Sequence, residues 1–238
     1  MRTYPSRRVR WIAILISGTL AAWTLAGCAS AQAPSPPEPL SATSGVEGIT
    51  PTDTPEVSAP SVPAPALALQ LDAFADGGAI PSHYTCSGEN ASPSLSWSGI
   101  PAEAQSLVLI VYDADAGPDL GAGTDLGFIH WMVYDLPTTS AGLPEGATGN
   151  PQALDSGVET PNDFSTVSGG TFPDGAAIRG AGYDGPCPPD EHTYVFRLLA
   201  LDSPLALPTG SPPQAVLAAL EGHVLAAADW TGTYTPSP

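Results

Sequence analysis

Three short apolar runs constrain this chain more than any other feature. Residues 106–113 read SLVLIVYD, residues 129–136 read IHWMVYDL and residues 194–201 read YVFRLLAL. Each is rich in β-branched and aromatic side chains, and each is too short for an ordinary helix but of the right length for a buried strand. Gly- and Pro-rich loops separate them, and this spacing predicts an antiparallel β core. Leu67, Leu69 and Leu71 alternate with Ala68 and Gln70, which predicts an opening strand and sets the start of the folded domain at residue 67. The spacing predicts one helix: Ser211 as its cap, Pro212 at the first helical position, Gln214 at the capping-box position, and Val216, Leu217, Leu220, Val224 and Leu225 facing the core. A short strand over 231–235 closes the chain.

The N-terminus is of a different kind. Arg2, Arg7, Arg8 and Arg10 precede an apolar run over 11–26, and Leu25-Ala26-Gly27-Cys28 follows. A basic segment, an apolar stretch and small residues before a cysteine are what a lipoprotein signal peptidase requires, so residues 1–27 read as a signal peptide and Cys28 as the lipidated residue. The run is short for a span, which needs about 20 apolar residues. Residues 29–66 carry no aromatic and no basic side chain and are rich in Pro, Ala, Ser and Thr. Nothing there can build a core, so 28–66 read as the lipidated cysteine and a disordered tether of roughly 30–40 Å. The predicted location is the cell envelope, on the extracytoplasmic side of a membrane held through the N-terminal lipid.

Beyond that leader only Arg179 and Arg197 remain, against all 24 acidic residues, and lysine is absent. Such a surface repels nucleic acid and anionic lipid at long range, which excludes nucleic acid as a partner. Of three cysteines, a lipidated Cys28 leaves Cys86 and Cys187. In an oxidising compartment they read as a disulfide, with two buried thiols as the open alternative. The chain has no H-E-x-x-H, no P-loop and no G-x-S-x-G, and no cofactor is called for. Asp113, Asp115, Asp119 and Asp125 form a carboxylate-rich stretch that lacks the glycine and closing glutamate of an EF-hand. It reads as a solvated loop, and no metal is assigned.

Several segments, in order, match one family. Ile80-Pro81, Tyr84-Thr85-Cys86, Gly88, Asn90 and Ser92-Pro93 come first, then Leu95-Ser96-Trp97-Ser98-Gly99-Ile100-Pro101. Asp113-Ala114-Asp115-Ala116, His130-Trp131-Met132-Val133-Tyr134-Asp135-Leu136-Pro137 and Gly182-Tyr183-Asp184-Gly185-Pro186-Cys187-Pro188-Pro189 follow, with His192 and Tyr194. Gly222-His223, Leu225 and Gly232-Thr233-Tyr234 fit the C-terminal end. Across 67–238 the chain resembles the phosphatidylethanolamine-binding protein family, most closely its bacterial YbhB/YbcL-type, Raf kinase inhibitor-like branch. The resemblance implies an antiparallel β-sandwich with a few peripheral helices, and a small pocket that accepts phosphate-like groups, including the phosphoethanolamine head group. Three departures stand out. Gly117 precedes Pro118 where the family has proline directly. Thr193 stands where an arginine is usual. Some residues intervene between Asn162-Asp163-Phe164 and Gly182, as an insertion.

The resemblance points to Asp113, Asp115, His130, His192 and Tyr194 as ligand-binding residues, with Gly185 and Pro186 as a pocket wall. A histidine beside a carboxylate favours its charged form, and charged imidazoles would donate to a phosphate oxygen. Asp115 reads equally as a turn-stabilising aspartate. His83 and His223 are assigned no ligand role. The first functional expectation is a binding protein for a small anion or phospholipid head group, with protease inhibition as a family-implied activity and a protease as the implied partner. The alternative is an interaction or structural surface lipoprotein with a vestigial pocket. A metal-assisted hydrolase built on Asp113, His130 and His192 ranks third, and no catalytic residue is assigned.

Overall fold

The structure, a computed structural model, describes residues 66–116, 126–165 and 169–236. All of them lie in the compact unit Ser58–Pro238. The signal-peptide, lipidation and tether expectations, and the carboxylates Asp119 and Asp125, lie outside the described residues.

The strands in chain order are β1 (Ala68–Gln70), β2 (Gly78–Ala79), β3 (Leu95–Ser98), β4 (Ser106–Asp113), β5 (Phe128–Leu136), β6 (Gly142–Leu143), β7 (Val158–Glu159), β8 (His192–Leu201) and β9 (Val224–Tyr234). A six-stranded sheet runs β2-β9-β8-β4-β5-β7, and a three-stranded sheet runs β1-β3-β6. Pairing is antiparallel throughout except between β2 and β9. The expected antiparallel core is present, with β4 and β8 at its centre.

The apolar runs lack a polar face because the large sheet is covered on both sides. Leu107, Leu109 and Val111 of β4 join Trp131, Val133, Phe196 and Leu198 in the layer against the small sheet, which contributes Leu69, Leu95 and Trp97. Val108, Ile110 and Tyr112 point the other way and pack with Met132, Tyr134, Leu199, Val216 and Leu220. Alternation along β4 therefore divides its residues between two cores.

The helix and the last strand differ from expectation. The helix α1 spans Pro213–Ala219 and is capped by Pro212 without a side-chain cap bond. Pro212 cannot be helical because it precedes Pro213, which holds it extended, with ψ at 157°. The Ser211 hydroxyl instead donates to the Pro208 carbonyl at 2.7 Å. At the other end Gly222 adopts φ of 80° and closes the turn. Val224 and Leu225 thus begin β9 rather than continue a helix, and they are exposed, at 44% and 43%. The closing strand begins at Val224, seven residues before the short strand expected at 231.

Candidate functional site

The site forms where β4, β5 and β8 end together. Asp113, the last residue of β4, lies opposite Phe128 of β5 and Tyr194 of β8. Asp113 continues the inward parity of Leu107, Leu109 and Val111, and His192 and Tyr194 continue that of Phe196 and Leu198. The β4–β5 register slips between Val111, opposite Trp131, and Tyr112, opposite Ile129, so His130 is the extra residue of a bulge. A bulge re-aims side chains. Here it lets Trp131 keep its place in the core while His130 reaches the cavity at the sheet end.

That cavity has a volume of about 160 Å³. Asp113, His130 and Tyr194 form its buried floor. His192, Phe128, Phe164 and the Cys187-Pro188-Pro189 segment complete its walls and rim. Four expected residues, Asp113, His130, His192 and Tyr194, are brought together. Asp115, Gly185 and Pro186 do not line it. The Asp115 carboxylate accepts from the Thr193 N–H at 2.6 Å and so fastens the loop after β4 to β8. Gly185 donates its N–H to Asn90 Oδ1 at 2.6 Å, and the Pro186 carbonyl accepts from Cys86 N–H at 3.0 Å. These two residues hold the loop behind the wall, and Cys187 to Pro189 make the wall itself. A Cβ on Gly185 would lie 2.2 Å from the Tyr84 carbonyl oxygen, so this close approach requires glycine.

The two histidines carry opposite electrostatic settings. His130 Nδ1 donates to the Asp184 carbonyl at 2.6 Å, because a carbonyl can only accept, so Nε2 carries the lone pair. Burial pushes its pKa below the usual range, outweighing the Asp184 hydrogen bond and the charges of Asp113, Asp184 and Asp163. The expectation of a charged imidazole fails for His130: its burial among aromatic rings outweighs the nearby carboxylates. At His192 burial also lowers the pKa, but the hydrogen bond and charge of Asp113 and the charges of Asp190 and Asp115 reverse this, and the net shift is upward. Its Nδ1 lies 2.7 Å from Asp113 Oδ2 and its Nε2 3.2 Å from Asp190 Oδ1, a placement that suits the imidazolium.

Tyr194 is fully buried, and its hydroxyl has no well-aligned hydrogen-bond partner, the Asp113 carboxylate being the polar group that acts on it. Burial, then the nearby Asp113 charge, pushes its pKa far above the usual range, so it is a neutral donor and acceptor. The Asp113 carboxylate is already well used: Oδ1 accepts from the N–H groups of Asp115 and Ala116, and Oδ2 from His192. Phe128 and Phe164 meet edge to face at 4.7 Å, and both pack on His130, at 5.2 and 5.4 Å between centroids. Sequence reasoning missed these two aromatic walls. Phe164 follows the family-like Asn162-Asp163 pair, which was the available signal. Phe172 backs Phe164 at 5.2 Å from within the inserted segment, which is also bridged at Pro161–Ala181 and Thr171–Ala177.

Behind the pocket, Asp184 holds three loops together. Its buried carboxylate accepts from Asn90 Nδ2, Asn162 Nδ2 and the N–H groups of Arg179 and Gly180, at 2.7–3.1 Å. The Cys86–Cys187 disulfide adds a covalent tie between the loop after β2 and the pocket wall. The other histidines sit elsewhere: His83 beside Glu145, and His223 beside Asp202.

The sequence profile of the family described as "Phosphatidylethanolamine-binding protein" matches residues 70–235. This chain belongs to that family. Within the phosphatidylethanolamine-binding proteins it is 42% identical over 167 residues to a UPF0098 protein of Methanothermobacter thermautotrophicus, covering 70% of this chain and 97% of that one. It is 37% identical over 169 residues to a UPF0098 protein of Chlamydia trachomatis, covering 71% and 98%. Among solved structures it resembles the phosphatidylethanolamine-binding protein homologue CT736 of Chlamydia trachomatis, at 36% identity and a TM-score of 0.58, over 72% of this chain and 99% of that chain. It also resembles Escherichia coli YbcL, described as a member of the mammalian PEBP family, at 27% identity and a TM-score of 0.59, over 73% and 100%. The bulge at His130 and the Asp113–His192 pair are therefore features of a phosphatidylethanolamine-binding protein domain that spans almost the whole of these relatives.

Proposed function

We propose that this chain is a lipoprotein held on the extracytoplasmic side of the envelope through Cys28, and that its domain binds a small phosphate-bearing head group of the phosphoethanolamine type. The observation that carries the binding reading is the Tyr194 hydroxyl, buried in the cavity with no well-aligned partner. A buried hydroxyl without a hydrogen bond costs about 1–3 kcal/mol, so the site is complementary to a ligand that supplies one. A cavity of about 160 Å³ is close to one that holds benzene, roughly 150 Å³, which limits the ligand's inserted part to about half a dozen heavy atoms. That suits a head group and excludes an acyl chain. His192, at the rim and held toward its charged form, offers a phosphate a positive charge. Carboxylates surround it, so affinity is modest and falls as pH rises through the His192 pKa.

The anchoring part rests on the arginines before the 11–26 run and on Cys28. The Cys86–Cys187 bond supports export, because disulfides persist in oxidising compartments. A thermal-shift titration with phosphate and phosphoethanolamine at pH 6 and pH 8 tests the binding reading. At about 100 times its dissociation constant a ligand stabilises the fold by about 2.7 kcal/mol. The expected result is a shift that is larger at pH 6 and reduced in His192→Ala. Absence of a shift with either compound at both pH values contradicts it.

A further inference from the structure

We propose that the outer edge of β9, at the end remote from the pocket, receives an extended segment of a partner protein. The segment adds a strand along residues 226–230, sends an apolar side chain into the groove beside Leu199, and carries basic residues on its flanks.

Over this stretch the backbone of β9 is paired on one side only. β8 runs along it from Tyr234 to Val224, whereas β2 covers only Gly232 and Thr233. The Thr231 N–H turns outward to Asp76 Oδ1 at 2.8 Å, and its carbonyl accepts from the Gly77 N–H at 2.9 Å. Backbone groups alternate in direction along a strand, so Asp229 and Ala227 turn theirs outward too. Among the described residues no strand pairs with them there. Asp76 closes one end of the run, and the bulge that makes Leu225 an extra residue closes the other. Residues 226–230 lie between, close to the ordinary strand length of about 5–6 residues. Natural edges are blunted by lysine, proline or inward charge. This run has neither lysine nor proline, and its Asp229 is neutralised by two bonds from Arg197, at 2.8 and 2.6 Å.

A groove adjoins the edge. Ala226, Ala228 and Trp230 pack inward, so Ala227 and Asp229 face the other side of the sheet, opposite Leu199 and Arg197. Leu199 and Arg197 line an apolar groove of about 290 Å³ that Ile110, Leu126, Leu217 and Leu220 complete. Ala227 is exposed and carries only a methyl group. An added strand would stand about 4.8 Å from β9, and a long side chain on it passes over Ala227 into the groove.

Charge selects the occupant. Asp76 stands at one end of the run. At the other, Asp202 donates its N–H to the His223 carbonyl just before Val224, and Glu221 is exposed nearby. A partner with lysine or arginine on either side of its paired residues complements both ends. A second copy of this chain would bring the same carboxylates to the same edge. Residues 29–66 carry no basic side chain and are rich in proline, which lacks the N–H that a ladder needs.

Calorimetric titration of the purified full-length protein tests this with synthetic peptides, and sedimentation velocity follows its own assembly. The probe peptide has a core of alternating leucine and threonine and two lysines at each end. The expected result is that it binds at least about tenfold more tightly than the same core with glutamate ends, than a core of threonine alone, and than a lysine-ended core with proline at alternate positions. Ala227→Pro removes only an outward N–H, so it weakens the probe about tenfold or more with little change in urea midpoint. Ala227→Glu adds an attracting charge but obstructs the groove, and it weakens the probe as well. Equal binding of the proline peptide reduces the effect to bulk charge and overturns the added strand, as does full affinity in both variants. Equal binding of the threonine core overturns the role of the groove. A dimer that Ala227→Glu dissociates makes a second copy the occupant and overturns the proposal, and so does a probe that does not bind.

Discussion

The His130 imidazole Nδ1 lies 2.6 Å from the Asp184 carbonyl oxygen, and the Asp184 N–H returns a bond of 3.1 Å to the His130 carbonyl. The bulged residue of β5 is thus tied twice to the loop that makes the pocket wall. One bond fixes the tautomer, and with it the lone pair that faces the cavity. The loop end of this tie is fixed in turn by the Asp184 carboxylate and its donors from three loops.

Asp184→Asn turns one acceptor of that buried carboxylate into a donor facing other donors. It destabilises the domain by about 1–3 kcal/mol, the cost of leaving a buried polar group unpaired, read as a lower urea midpoint. Head-group affinity falls as well as the loop loosens, because that loop carries the Asp184 carbonyl that holds the His130 tautomer.

Tyr194→Phe has the opposite signature. It removes a buried hydroxyl that lacks a partner, so unfolding stability stays within about 1 kcal/mol of wild type or rises, while ligand affinity drops. A large loss of stability in urea contradicts this account of Tyr194.

The two site histidines give stability of opposite pH dependence. His192 is held above its ordinary pKa of 6.5, so its contribution is complete below that value and is lost as pH rises through the raised folded value. His130 is held below 6.5, so the unfolded chain takes up a proton that the folded one refuses, and stability falls as pH drops below about 6.5. Urea midpoints across pH 5–9 check both signs. His192→Asn removes the alkaline loss, and His130→Asn removes its share of the acid loss.

The disulfide closes a loop with a sequence separation of 101 residues. In the chain-entropy picture such a cross-link contributes up to about 4.7 kcal/mol, and removing a native one costs about 2–5 kcal/mol. The double variant Cys86→Ala with Cys187→Ala is expected to lose stability in that range. Because Cys187 is part of the pocket wall, ligand affinity falls with it.

The β core was legible because β4, β5 and β8 are short apolar runs rich in β-branched and aromatic residues and bounded by Gly- and Pro-rich loops. The Asp113, His130, His192 and Tyr194 cluster was legible through the family pattern: Asp113, His192 and Tyr194 reach one end of the sheet by strand parity, and His130 reaches it through the bulge in β5. The end of α1 was not: Val224 and Leu225 fit helical spacing, but Gly222 at positive φ breaks the chain first. The charge on His130 was hidden for a different reason. Proximity of Asp113 can be read from sequence, whereas complete burial by Phe128, Phe164 and Tyr194 depends on packing. Asp184 acts through a loop joined to Asn90 across 94 residues, which no local pattern reveals.

The most direct test is NMR observation of the four histidine rings during titration with phosphoethanolamine at pH 6.5. The account predicts saturable shifts at His130 and His192 with a single dissociation constant, and none at His83 or His223. Shifts confined to His83 and His223, or no shift at any ring, contradict a head-group site between β4, β5 and β8.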